Sequence, residues 1–223
     1  MDWNEELMDG IWERDAERVR AALANGADPN ARFADDDGMM FPGSTPLTWA
    51  ADCPPEIVAL LIVAGATVSA EQPEDGSTSL HHAAENGNVE ALRLLLATDL
   101  GPHLGTFDYV SRTPLHCAVA SRSEEAARLL LEAGADVNAN EEARIGDSPL
   151  REAVEKGDLP MVRLLLEHGA DPLLPGWMQR TPLDMAQRGE RDDRPRIREL
   201  VEQAALKTEP RFQRDAGHPR RKR

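Results

Sequence analysis

Apolar side chains recur along the chain at helical spacing, in short leucine-rich segments. The segment 89–96 places valine and leucine at intervals of three and four residues, and similar stretches lie at 128–131 and 162–166. Intervals of three and four put these side chains on one face of a helix. Each segment therefore predicts an amphipathic helix with one buried face.

A short tripeptide of the Thr-Pro-Leu type precedes most of these segments. Successive copies are separated by 33, 35, 35 and 33 residues. A period of this size indicates stacked supersecondary units, because one such unit cannot bury its own apolar face. The five copies are Thr45-Pro46-Leu47, Thr78-Ser79-Leu80, Thr113-Pro114-Leu115, Ser148-Pro149-Leu150 and Thr181-Pro182-Leu183.

The copies have residues that begin helices, and most units also have residues that end them; the third unit ends irregularly, with Asp99–His103 in place of the usual string. The threonine hydroxyl can cap a first helix, and proline fits its first turn, where no N–H partner is needed. A glycine ends the second helix, since the residue after a helix often adopts positive φ. The terminating strings are Gly26-Ala27-Asp28, Gly65-Ala66-Thr67, Gly134-Ala135-Asp136 and Gly169-Ala170-Asp171.

These motifs together resemble those of ankyrin-repeat proteins, most closely in Thr113–Val119 followed by Arg128–Asn138. The resemblance implies an all-α fold, a solenoid of about six helix–turn–helix units joined by hairpin-like fingers. We expect the array to span 1–205, with degenerate first and last units that act as caps, and a basic, disordered tail to span 206–223. The expected units are about 3–32, 44–70, 77–105, 112–140, 147–175 and 180–205.

The chain is strongly acidic. Its formal net charge is −15, and the segment from Lys207 onward carries +5, so the remaining residues carry −20. Such a body should repel nucleic acid and anionic membranes and favour a basic protein partner, although acidity also serves solubility alone. For the terminal Pro219–Arg223, a disordered tail and a nucleic-acid or nuclear-import patch both remain open.

The composition also predicts a location. Cys53 and Cys117 lie in different units without metal-ligand spacing, as expected for reduced thiols in the cytoplasm. The acidic N-terminus has no apolar signal segment, and no apolar run approaches the ~20 residues of a membrane span. Only three lysines stand against 22 arginines, from which we expect a bacterial source.

The sequence does not predict an enzyme. It has no Gly-rich phosphate loop, nucleophile elbow or zinc-binding His-Glu-x-x-His motif, and we expect no cofactor and no metal. We interpret His81 and His116 as hydrogen-bonding braces of the Thr-Pro-Leu turn, as the resemblance implies. The acidic run Asp35–Asp37 lacks the alternating ligand spacing of a calcium loop, so we interpret it as a solvated insertion.

Aromatic and aliphatic residues recur in the fingers. In the ankyrin frame Asp-x-x-Gly-x-Thr, the variable positions face a partner, and large apolar side chains there are a solubility liability without a use. Packing between neighbouring fingers is the alternative explanation. The expected partner-binding residues are Phe41, Trp49, Tyr109, Val110, Arg112, Arg144, Ile145, Trp177, Met178 and Arg180.

The sequence therefore predicts a non-enzymatic module that binds a protein partner on its concave face and fingertips and is monomeric alone. An inhibitor or immunity-type protein that blocks a basic enzyme or toxin is the first alternative. An enzyme whose site has no recognised motif is the second.

Overall fold

The computed structural model describes residues 2–32, 43–98, 103–141, 146–188 and 194–215. Within these ranges the regular elements are helices, and they fall into two bodies, Met1–Asp136 and Val137–Arg223. The helices of the N-terminal body are α1 (Trp3–Trp12), α2 (Ala16–Ala24), α3 (Pro46–Ala50), α4 (Pro55–Val63), α5 (Ser79–Glu85), α6 (Val89–Leu96), α7 (Pro114–Ala120) and α8 (Glu124–Glu132). Those of the C-terminal body are α9 (Pro149–Lys156), α10 (Leu159–Glu167), α11 (Pro182–Arg188) and α12 (Arg194–Asp215).

In the N-terminal body the helices form two layers. Each repeat contributes a first helix and a second helix that pack on one another, as α5 packs on α6. First helices also contact the first helix of the next repeat, and second helices the next second helix. Every repeat therefore covers the apolar face of its neighbour, as the period requires.

Equivalent leucines form the core of the N-terminal body. The leucine of each tripeptide, Leu47, Leu80 and Leu115, is at most 1% exposed. Leu92 and Leu130 of the second helices are fully buried beside small alanines. The tripeptide leucine lies at the same depth in each repeat because the cap two residues earlier fixes where the first helix begins.

His81 and His116 brace the start of their first helices, as the resemblance implies, whereas the expected hydroxyl cap is absent at Thr45. The Thr78 N–H donates to Nδ1 of His81 over 3.1 Å, and Thr113 makes the same bond to His116. The opposite nitrogen of His81 lies 3.1 Å from the Arg112 carbonyl oxygen. Because Nδ1 accepts, Nε2 carries the proton and donates to that carbonyl, so His81 ties one repeat to the finger of the next.

In the C-terminal body, α9 packs on α10, α11 on α12, and like helices of the two repeats contact each other. Leu150, Val162 and Leu165 are at most 1% exposed in this core. α12 runs to Asp215, past residue 205, where we expect the array to end. The beginning of the segment expected to be a disordered tail is thus helical, and residues 216–223 lie outside the described ranges.

Candidate partner-binding surfaces

The finger before α7 is shaped by the carboxylate of Asp108. This side chain is buried and accepts hydrogen bonds from the Val110 N–H at 3.0 Å and the Arg112 N–H at 2.8 Å. The Asp108 N–H in turn donates to the Arg112 carbonyl oxygen at 2.9 Å, which closes a hairpin-like turn. Ser111 occupies the glycine position of the frame and has a φ of +65°. The carboxylate therefore holds the fingertip in one conformation.

Tyr109, at the tip of this turn, lies against the preceding finger. Its N–H donates to the Asp75 carbonyl oxygen at 2.7 Å, and its hydroxyl donates to the Pro73 carbonyl oxygen at 3.2 Å. The ring covers Gly76 so closely that a methyl group at residue 76 would lie 2.8 Å from two ring carbons. Tyr109 nevertheless remains 54% exposed. It both packs between fingers and presents a fixed aromatic surface to solvent.

Val110 and Arg112, in the same turn as Tyr109, differ in exposure and in their contacts. Val110 is 69% exposed. Arg112 is about one-third exposed, with its guanidinium 3.1 Å from Asp108 and 3.7 Å from Glu85. Arg112 therefore braces the finger against α5. Its contact with a partner stays a prediction from the sequence.

Trp49, on α3, belongs to an aromatic pair. Its ring is half-buried and meets the half-exposed ring of Trp12 edge to face, with the centroids 6.5 Å apart. Such a pair is favourable beyond its area burial. Beside it, the Arg14 guanidinium lies 2.9 Å from the Asp52 carboxylate. The sequence interpretation missed Trp12, which adjoins the apolar face formed by Leu7, Met8 and Ile11 of α1.

The corresponding fingertip of the C-terminal body exposes Trp177 and Met178, at 48% and 63%. The Gly176 N–H donates to the Arg180 carbonyl oxygen at 3.0 Å, as in the Asp108 turn. Met178 and Gln179 both adopt a φ of +57°, a backbone conformation that residues other than glycine rarely occupy. The tip is therefore held in a strained conformation by its surroundings.

Asp147 supplies part of that restraint. Its carboxylate accepts the Trp177 N–H at 3.0 Å and pairs with the buried guanidinium of Arg151. Gly176 makes room for this carboxylate, since a methyl group there would lie 2.6 Å from Oδ1 of Asp147. In the ankyrin frame this position is an aspartate that accepts backbone N–H groups of the turn. Here it is Gly176, and Asp147 of the preceding finger accepts the Trp177 N–H instead.

The expected binding residues thus lie in several places. Tyr109, Val110 and Arg112 share one turn of the N-terminal body, whereas Trp49 lies on α3 of the same body. Trp177, Met178 and Arg180 share one turn of the C-terminal body. Phe41, Arg144 and Ile145 lie outside the described residues.

The described residues contain no group of three or more histidine, cysteine or acidic side chains placed to hold a metal ion. Cys53 and Cys117 are buried free thiols, and burial, with a smaller effect of Asp52, raises the pKa of Cys53 to about 11. This thiol stays protonated near neutral pH and is a poor nucleophile.

An open groove of about 940 Å³ lies between α10 and α12 in the C-terminal body. Charged residues of both signs, Arg163, Glu167, Asp171 and Lys207, line it together with leucine and alanine. Within the described ranges, no helix is both long enough and apolar enough to cross a bilayer.

Comparison with known proteins agrees with the repeat pattern. The family model "Ankyrin repeats (3 copies)" matches residues 53–141, and the model "Ankyrin repeat" matches residues 145–177. The fold is similar to the crystal structure of the ankyrin repeat domain of Bcl-3, described as a unique member of the IkappaB protein family. The two chains are 28% identical with a TM-score of 0.73, over 91% of this chain and 85% of that one.

In all, 548 chains of known structure match, whereas no curated protein sequence does. The helices of the described residues and the structural match confirm the expected fold class, an all-α ankyrin-repeat solenoid.

Proposed function

Because the chain belongs to the ankyrin-repeat family, whose repeats generally mediate protein–protein interaction, we propose that it is a non-enzymatic module that binds a protein partner. The proposed contact surface in the N-terminal body comprises the Tyr109 fingertip and the Trp12–Trp49 pair. In the C-terminal body it comprises the Trp177–Met178 fingertip. We propose a cytoplasmic location, with which the two free thiols are compatible.

One observation carries this proposal: exposed apolar side chains lie on fingertips whose backbone is fixed by a carboxylate, buried in one case and partly buried in the other. Asp108 fixes the tip that bears Tyr109, and Asp147 fixes the tip that bears Trp177. Binding then spends little entropy on ordering the surface. Tyrosine and tryptophan are also the residues that most often dominate interface energetics.

The charges around the N-terminal surface favour a basic partner. Asp52 and Glu85 pair with Arg14 and Arg112, so neither of these arginines leaves an unbalanced positive charge. Glu74 is exposed on the second finger and adds a negative charge beside them. We propose Arg112 and Arg180 as rim residues that orient the partner. Arg112 would exchange its 3.7 Å contact with Glu85 for a partner carboxylate.

The test is capture of partners from the native host, followed by calorimetry with the purified partner. Tyr109→Ala and Trp177→Ala should each weaken binding at least about tenfold, or about 1.4 kcal/mol. Val63→Ala is the matched control, because Val63 is 87% exposed but belongs to α4 and not to a fingertip. If both fingertip variants bind like wild type, the proposed surface is wrong; if both unfold, the two side chains serve packing alone.

The acidic charge also keeps an inhibitor or immunity-type role as a second candidate, in which the partner is a basic enzyme or toxin. The same surface would then bind tightly and block activity. Association steered by charge slows steeply as ionic strength rises. An association rate that is insensitive to salt, or a captured partner without activity to block, would remove this candidate.

A further inference from the structure

The second finger of the N-terminal body, residues 72–77, is closed by its end residues. The Gln72 N–H donates to the Ser77 carbonyl oxygen at 2.8 Å, and the Gln72 carbonyl oxygen accepts the Gly76 N–H at 2.9 Å. The Gln72 side chain is buried, and its amide oxygen accepts a hydrogen bond from the Ser44 hydroxyl at 3.3 Å. Gln72 therefore links the second finger to the first.

Both ends of this finger also contact His82 on α5. Nε2 of His82 lies 2.8 Å from the Gln72 amide nitrogen and 2.8 Å from the Ser77 hydroxyl. An amide nitrogen can only donate, so Nε2 accepts, and the proton of the neutral ring sits on Nδ1. The arrangement suits the neutral imidazole alone.

Protonation of His82 would place a donor on each side of the contact with Gln72. The ring must then move, or the Gln72 amide must rotate and reverse its hydrogen bond with Ser44. Either change affects both end residues of the finger, because the Ser77 hydroxyl contacts the same ring nitrogen as Gln72.

This finger is the platform on which Tyr109 lies. The carbonyl oxygens of Pro73 and Asp75 accept the two hydrogen bonds of Tyr109, and Gly76 lies beneath its ring. All three residues fall between the two that contact His82. A change at His82 therefore reaches the Tyr109 ring through a few covalently linked residues.

The charged groups around His82 come from four elements. Burial lowers the pKa of His82 below its ordinary value, while Asp75, Glu85 and Asp52 act in the opposite direction and Arg112 adds to the lowering. His82 is therefore neutral near neutral pH, and its charge change falls below the ordinary histidine pKa of about 6.5.

We propose that His82 is a pH-dependent switch whose protonation displaces the finger 72–77 and, with it, the Tyr109 ring. Acidification then changes the shape of the surface around Tyr109. Only the consequence for partner binding rests on the proposed function.

The single tyrosine of the chain allows a direct test without any partner. Tyr109 is replaced biosynthetically by 3-fluorotyrosine. Its one ¹⁹F resonance is followed from about pH 7 down to the pH at which circular dichroism first shows loss of the fold. We expect a sigmoidal change in chemical shift that His82→Gln abolishes. His103→Gln, in a half-buried loop residue, is the matched control and should keep the transition.

A second measurement needs no substitution. The ¹⁵N resonances of the His82 ring in the wild-type protein should show Nδ1 protonated at neutral pH, and they should titrate with the same midpoint as the ¹⁹F signal. A flat ¹⁹F signal, a transition that survives His82→Gln, or two different midpoints would each overturn the switch. None of these outcomes depends on whether a partner binds, so the proposed function is tested separately.

Discussion

Acidification should destabilise the N-terminal body through His116, which offers a quantitative test of the histidine brace. Nδ1 of His116 accepts the Thr113 N–H at 3.1 Å, and the side chain is 2% exposed. Burial lowers its pKa to about 4; the carboxylate of Asp108 opposes this shift, and Arg112 and His81 add to it. The folded protein therefore keeps His116 neutral at pH values where the unfolded chain is already protonated.

The sign and size of the change in unfolding free energy follow from the difference between the folded and unfolded pKa values of His116. Above a pH of about 6.5 the ring is neutral in both states, so the pKa shift does not affect stability. As the pH falls below that value, only the unfolded state gains a proton, and stability is lost until the folded pKa near 4 is reached. At about 1.4 kcal/mol per pH unit, the loss is roughly 2 kcal/mol at about pH 5 and roughly 3 kcal/mol when complete.

The assay compares urea unfolding at about pH 7.5 and about pH 5 for wild type, His116→Gln and His103→Gln. Glutamine can accept the Thr113 N–H but does not titrate, so His116→Gln should lose about 2 kcal/mol less than wild type over this range. His103→Gln should behave like wild type. Titrating groups that do not interact with His116, such as His82, are common to the variants and cancel in the comparison. His81 interacts with His116, so the difference measures His116 together with this coupling. Equal losses in wild type and His116→Gln would refute the assigned shift.

Two further substitutions test packing. Leu130→Ala should cost about 2–5 kcal/mol of unfolding free energy, because Leu130 is fully buried between the second helices. The control, Val63→Ala, should be nearly neutral. A Leu130→Ala protein as stable as wild type would contradict this helix register. Gly76→Ala should destabilise by about 1–3 kcal/mol and displace Tyr109. Gly65→Ala, at a φ of +93° with open space around it, measures the backbone strain alone, and an equal cost in both variants would show that the contact with Tyr109 is not tight.

The sequence predicts the repeats well because each carries its own local signals. The residue after each cap begins a first helix, and a glycine with positive φ follows several second helices, as at Gly65 and Gly134. These signals act within a few residues and need no knowledge of the neighbouring repeat. The apolar spacing then identifies the buried face, as at Leu92.

Contacts between fingers were less accessible to sequence reasoning. The sequence identifies Tyr109 as a fingertip residue. The packing of its ring on Gly76 depends on how closely two fingers approach, which the sequence does not specify. Trp12 carries no repeat signature, and its partner Trp49 lies in the next repeat at a position that is not equivalent. The length of α12 was also missed, since its polar sequence contains Pro210 and lacks a strong apolar period.

The bracing residues His81 and His116 each lie three residues after the cap. The other repeats have different side chains at this position. Asp184 occupies it in the last repeat and accepts the Thr181 N–H at 2.9 Å, while Thr48 occupies it in the second and lies 3.0 Å from the Thr45 hydroxyl. Arg151 occupies it in the fifth, where its backbone N–H donates to the Ser148 hydroxyl at 3.3 Å and its guanidinium turns to Asp147.

Different side chains at this position thus meet the same need, a partner for the polar groups at the start of a first helix. Only the histidine copies have a neutral form that acid converts to a buried cation. Between about pH 6.5 and about pH 4, the loss of stability with acid should therefore arise mainly in the repeats that contain His81 and His116. The Thr181 N–H lowers the pKa of Asp184, so the last repeat loses the contribution of this carboxylate at still lower pH. Thr48 and Arg151 bring neither kind of acid sensitivity to the start of their helices, since Thr48 does not titrate and Arg151 stays charged.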